Sequence, residues 1–334
     1  MARKKEQSVS QSIGGIIVGF DQQIFRTTPP VNELVAKGDR LAPVAASGGG
    51  TMTVGLPEDP AQPATDDDRA TDPDVLRLSA AGVEAVVDLA AGGRIASLRV
   101  DGHELLRTAG ASPIEWGSFP MAPFAGRVRD AMFTFGGEAW RLPATMPPHA
   151  IHGTVLDRRW HLVGAGTISS ELGPDWPFAG GVVQRFELAA DHLTCRLELH
   201  ADEAMPASIG WHPWFLRRPP GVPGELELDL DAGAMYAKDA AGITTTHLVS
   251  PSPGPWDDCF TNLRRPPVLR WPGFLELTVE SDRVDWVVFT APRDALCVEP
   301  QSAPPDALNT GPAIVQPGRP LVAEMTWRWR SLSG

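Results

Sequence analysis

The 334-residue chain carries 41 acidic and 29 basic side chains, a net charge of −12, which excludes a surface built to follow nucleic-acid phosphates. Its 43% hydrophobic content suffices for a large core and excludes wholesale disorder. Length alone allows two average domains or one large β domain.

The first 73 residues read as an N-terminal extension. Ile13 to Phe20 is a short apolar run leading into Asp21-Gln22-Gln23, with no small-residue cleavage site behind it. Pro57 to Asp74, rich in Pro, Asp, Ala and Thr, reads as a solvated linker. The segment Ile13 to Leu41 holds enough apolar side chains to dock on the body or on a partner. No stretch approaches the ~20 apolar residues of a membrane span, so the expectation is a soluble cytoplasmic protein with no membrane partner.

From residue 74 to 334 the pattern has period two. Leu193, Cys195, Leu197 and Leu199 alternate with polar residues, as do Leu226, Leu228 and Leu230. Leu275, Leu277 and Val279 repeat the pattern, and so do Leu321, Ala323, Met325, Trp327 and Trp329. Such alternation buries one face of an antiparallel sheet and wets the other. Turn signals at Gly92-Gly93, Gly136-Gly137, Ala190-Asp191 and Pro272-Gly273 separate the runs. The expectation is an all-β chain folded as one large antiparallel β-sandwich domain. Trp327 and Trp329, among the 11 tryptophans, fall on the core side of their strand. Cys195, Cys259 and Cys297 are too widely spaced for a disulfide framework or a CxxC metal knuckle.

Polar islands interrupt the alternation. Arg127 follows Gly126. His152 precedes Gly153, and His212 sits inside Gly210-Trp211-His212-Pro213-Trp214-Phe215. Glu299 lies between the apolar Leu296-Cys297-Val298 and Pro300, where a carboxylate is partly desolvated and its pKa raised. Asp257 and Asp258 precede Cys259-Phe260. His149 and His152 have the spacing of metal ligands, but no third ligand is suggested nearby, so no metal and no cofactor is expected.

Taken in order, GGRIASLRVDGHELL (92–106), FPMAPFAGRVRD (119–130), HAIHG (149–153), GWHPWF (210–215), WDDCF (256–260) and VEPQSAPPDA (298–307) resemble the aldose 1-epimerase, or galactose mutarotase-like, family. The resemblance runs from about Leu76 to Arg330 and implies a large β-sandwich. It also implies cofactor-free interconversion of the α and β anomers of free aldohexoses. By similarity, Glu299 is the general base toward the C1 hydroxyl and His212 the general acid toward the ring oxygen. His152 would steady charge near that oxygen, with acid and base at opposite ends of the sugar. Arg127 and Asp257, rather than Asp258, would grip ring hydroxyls, and Trp211 and Trp214 would form walls for the sugar. Trp214 stands where many relatives carry Tyr. Two alternatives stand beside this reading. One is a hexose-6-phosphate 1-epimerase using Arg127, Arg158 or Arg159; the other is a carbohydrate-binding protein without turnover.

Overall fold

The computed structural model describes residues 73–332. Expectations for the extension, its linker and its docking segment fall on residues outside that range, Pro73 and Asp74 apart. Among the described residues two large sheets dominate, of 11 and 8 strands, and every strand pair in them is antiparallel. No helix of the described residues is long and apolar enough to cross a membrane.

The smaller sheet follows the period-two reading closely. In His192–Ala201 every second residue is buried, and the strand pairs with Leu321–Ser331 so that Leu193 faces Trp327, Cys195 faces Met325 and Leu197 faces Ala323. On its other side Leu321–Ser331 pairs with Leu275–Ser281, setting Val279 opposite Trp327 and Leu277 opposite Trp329. Large side chains thereby meet small or branched ones, the arrangement that fills a core without voids. The Leu226-to-Leu230 run departs from expectation. Only Glu227–Asp229 forms a strand, at the sheet's edge, and Leu228 and Leu230 stay half-buried because a single neighbour covers them.

The larger sheet positions the site. Its central strands, in spatial order, are Ser118–Met121, Gly210–Leu216, Ala295–Gln301, Asp285–Phe289 and Asp257–Leu263. Each sends alternate side chains to opposite faces. From Gly210–Leu216, Trp211 and Phe215 enter the main core, where the Phe215 ring lies 5.1 Å from that of Trp327. From Ala295–Gln301, Leu296 and Val298 do the same. The intervening residues, His212 and Trp214 on one strand and Cys297, Glu299 and Gln301 on the other, face away from that core.

Candidate active site

That outward face floors a cavity of about 400 Å³. His212, Glu299, His152, Arg127, Asp257 and Trp214 all line it, so six of the seven side chains singled out in the sequence converge. Trp211 is the correction. It is fully buried in the main core, and its indole Nε1–H donates to Gln184 Oε1 at 2.7 Å. Neighbouring residues on a strand face opposite ways, so Trp211 and His212 cannot share a wall. His149 also turns away, its Nδ1 accepting from the Asp130 N–H at 3.0 Å.

Strand register makes the central pair. Gly210 lies opposite Gln301 and Trp214 opposite Cys297, which sets His212 directly across from Glu299. Their side chains meet at 3.2 Å, Nε2 to Oε1. Pro213 and Pro300, which lack an N–H, interrupt the ladder at this point in two central strands, a place where Pro is otherwise rare. Gln301, two residues beyond Glu299 and on the same face, donates its Nε2–H to Glu299 Oε2 at 3.2 Å. The two side chains expected at opposite ends of a sugar stand side by side.

His212 is clamped between two rings, stacked on Phe119 at 4.8 Å and on Trp214 at 5.2 Å. Trp214 donates its Nε1–H to the Ile114 carbonyl at 3.0 Å, so the indole N–H is already committed to the wall. His152 meets His212 edge-on at 4.9 Å. It adopts φ of +61°, uncommon for a side chain-bearing residue, and its N–H bonds the Gly126 carbonyl at 3.0 Å. Gly153 follows at φ +83°, and a Cβ there would lie 1.9 Å from the Ala122 carbonyl oxygen. Only glycine lets the two loops approach this closely.

Burial governs the ionisation. It pushes Glu299 well above the usual carboxylate range, and the Asp257 charge adds to this; the Gln301 bond and Arg127 oppose it. Burial draws His212 down to about 3, with the Arg94 charge acting in the same direction. His152 is lowered for the same first reason, then by His212 and Arg127. Both shifts disfavour the charged forms, which favours a protonated Glu299 beside a neutral His212, and the two groups titrate as a unit.

The charged rim is internally paired. Arg127 Nη2 lies 3.4 Å from Asp257 Oδ2, Lys238 Nζ lies 3.3 Å from Asp258 Oδ1, and Arg107 bridges Asp294 at 2.7 Å. Lys238 also donates to the Asp257 carbonyl. Arg158 and Arg159 do not line the cavity, and Arg159 pairs with Asp74.

The sequence profile described as Aldose 1-epimerase matches residues 74–328. The chain belongs to the aldose 1-epimerase family. Among solved structures it is similar to a galactose mutarotase-like protein from Clostridium acetobutylicum (TM-score 0.66, 15% identity, covering 77% of this chain and 95% of that one). The galactose 1-epimerase from Lactobacillus acidophilus NCFM aligns at TM-score 0.63 and 17% identity, covering 79% and 97%. The GalM/aldose epimerase homologue from C. elegans aligns at 0.65 and 14%, covering 77% and 98%. These likenesses show the fold. In sequence, the uncharacterized protein YphB of Escherichia coli (strain K12) is 31% identical over 135 residues, 37% of this chain and 46% of its own length.

In this member of the aldose 1-epimerase family, His212, Cys297 and Glu299 bring three atoms of metal-ligating type within 4.8 Å. Burial holds the Cys297 thiol protonated, and Glu299 already engages His212 and Gln301. A metal there would have to displace the Cys297 proton and the bonds joining Glu299 to His212 and Gln301. Lys238 and Arg107 also line the cavity and carry no local signal in the sequence, whereas Gln301, within the 298–307 stretch, reaches it through strand parity with Glu299.

Proposed function

We propose that the protein is an aldose 1-epimerase acting on free, unphosphorylated aldohexoses such as glucose and galactose. The adjacent Glu299–His212 pair carries this reading. Anomer exchange moves one proton off the C1 hydroxyl and another onto the ring oxygen, and both oxygens are bonded to C1, so acid and base must stand side by side. Passage of the shared proton from Glu299 to His212 primes the pair; Glu299 then takes the hydroxyl proton and His212 delivers one to the ring oxygen. The C1–O5 bond breaks with its electron pair remaining on O5, and a C1 aldehyde forms. After rotation about C1–C2 the same groups run the step in reverse. The proton then on Glu299 returns to O1, and His212 takes the one on O5. A shared proton serves both directions. His152, held neutral, offers a hydrogen bond beside the ring oxygen.

The rim supports an uncharged substrate. Arg127, Lys238 and Arg107 each have a carboxylate partner, so a sugar phosphate would have to displace one. Neutral hydroxyls instead find donors and acceptors together. This favours free hexoses over the 6-phosphate branch, and the intact pair favours turnover over mere binding. The three buried free cysteines suit a reducing, cytoplasmic setting.

The test is anomeric equilibration of freshly dissolved α-D-glucose and α-D-galactose, followed by polarimetry or NMR, with glucose 6-phosphate in parallel. Acceleration of the free sugars over the phosphate is expected. Folded protein without effect on any aldose refutes turnover, and preference for the phosphate refutes the substrate class.

A further inference from the structure

Behind the ring that backs His212 lies a second buried charge. Arg94, at the start of the strand Arg94–Val100, is fully buried. Its guanidinium donates only to main-chain carbonyls: Ala91 at 2.6 Å, Pro113 at 2.6 Å, Trp116 at 3.0 Å and Leu156 at 2.8 Å. Among the described residues it makes no ion pair. A cation desolvated without a carboxylate partner is costly to keep, and nothing in strand geometry demands it here.

Its position relates it to the acid. The guanidinium carbon lies 4.2 Å from the Trp116 ring and 5.3 Å from Phe119, and Phe119 stacks on His212 with the planes 19° apart. Trp214 covers the opposite face of His212 and is itself capped by Arg107 at 5.0 Å. The imidazole is thus the middle layer of a ring stack with a guanidinium at each end. The two ends differ. Arg107 is neutralised by a two-pronged bond to Asp294 at 2.9 and 2.8 Å, whereas Arg94 touches no carboxylate and feels Asp88 and Asp157 only at a distance.

We propose that Arg94 is a positioning residue for the acid–base pair: it anchors the Phe119 face of the stack, and its unpaired charge biases the shared proton away from His212 toward Glu299. This rests on the reading of His212 as the acid. The other groups facing His212 are Glu299 and Cys297 on the adjacent strand and His152 from its loop. Arg127, Lys238, Asp257 and Asp258 line the same cavity, and their charges largely cancel in pairs. Arg94 stands outside those pairs, and the carboxylates of Asp88 and Asp157 act on it only from beyond contact. The bias gives the resting site a neutral imidazole, and an imidazolium formed during turnover gives up its proton more readily to a weakly basic ring oxygen.

The experiment follows protonation of His212 through its ring 15N shifts, alongside kcat/KM against pH, in the native protein and in Arg94→Met, Arg94→Lys and Trp116→Leu. Removing a unit charge that acts across the Phe119 ring should raise the His212 midpoint by about one pH unit. Arg94→Lys, which keeps the charge, should leave it near the native value. Trp116→Leu keeps Arg94 and its carbonyls but admits water over the guanidinium, so it should shift the midpoint the same way by less. It decides the matter should Arg94→Met fail to fold. A midpoint equal in all the folded variants, or a rate lowered uniformly at every pH, overturns the proposal and leaves Arg94 a wall support. Because the NMR titration needs no turnover, its outcome stands apart from whether the protein accelerates mutarotation.

Discussion

Glu299 is buried to 1% exposure with its two oxygens committed to His212 and Gln301, so its replacement by Gln changes charge and proton capacity with little change of shape. Glu299→Gln should lower kcat by about 10²–10⁴, the usual worth of a positioned acid–base group, with circular dichroism unchanged. Its melting temperature should hold or rise, since a carboxyl no longer has to be kept from water. Asp257 tests the charge argument from the other side. Asp257→Asn removes the partner of Arg127 and leaves Lys238 only Asp258. The KM for glucose should rise several-fold, whereas activity on glucose 6-phosphate relative to glucose should increase; an unchanged ratio would disconnect the rim pairs from substrate choice. The reactive side chains were legible because each is a polar residue out of phase with apolar surroundings. Trp211 was misplaced although its parity was readable: it is one residue from His212, and one residue is a change of face. Arg94 was hidden because three of its four carbonyl contacts lie 19 to 62 residues away, a relation that no local pattern encodes.

At the level of elements, the site is a row of strand positions completed by two loops. The loop bearing His152 is tied to the loop from Ala122 to Gly126 by the bonds His152 N–H to Gly126 and Thr154 N–H to Ala122, at 3.0 and 2.9 Å. Gly153→Ala drives a Cβ against the Ala122 backbone, which cannot swing aside as a side chain would. Combined with φ +83°, this should cost about 1–3 kcal/mol in denaturant unfolding and lower kcat by displacing His152. Gly242→Ala is the control. It shares a positive φ, +75°, but opens onto empty space, so it should show only the smaller turn strain and normal activity. Strand existence and polarity were legible from alternation in the inner strands, because each is flanked on both sides. The Glu227–Asp229 strand was overestimated because an edge strand leaves its apolar residues half-covered, which composition does not reveal.

For the whole molecule, acid should be the sensitive direction. His152 and His212 are held neutral below their ordinary value of 6.5, so folding favours their unprotonated forms. Their contribution to stability is complete above about pH 6.5 and is lost as pH falls through the depressed folded values. Thermal unfolding should therefore show a melting temperature that declines below pH 6.5. His152→Asn should flatten that decline, and an equally steep slope in the variant would assign acid sensitivity elsewhere. Glu299 has the opposite sign: its folded value is raised, so its contribution is present at low pH and is lost as pH rises through that value.

The alternation inside Gly210–Leu216 carries a consequence for how such a protein changes over generations. Trp211 and Phe215 face the interior, and His212 and Trp214 face the cavity, on one seven-residue strand. Two selective pressures are thereby interleaved yet separable, because a substitution at one parity leaves the other parity's neighbours untouched. Diversity confined to the rim positions Ile114, Met146 and Lys238 should retune which sugar is welcomed while the fold's foundations go unread.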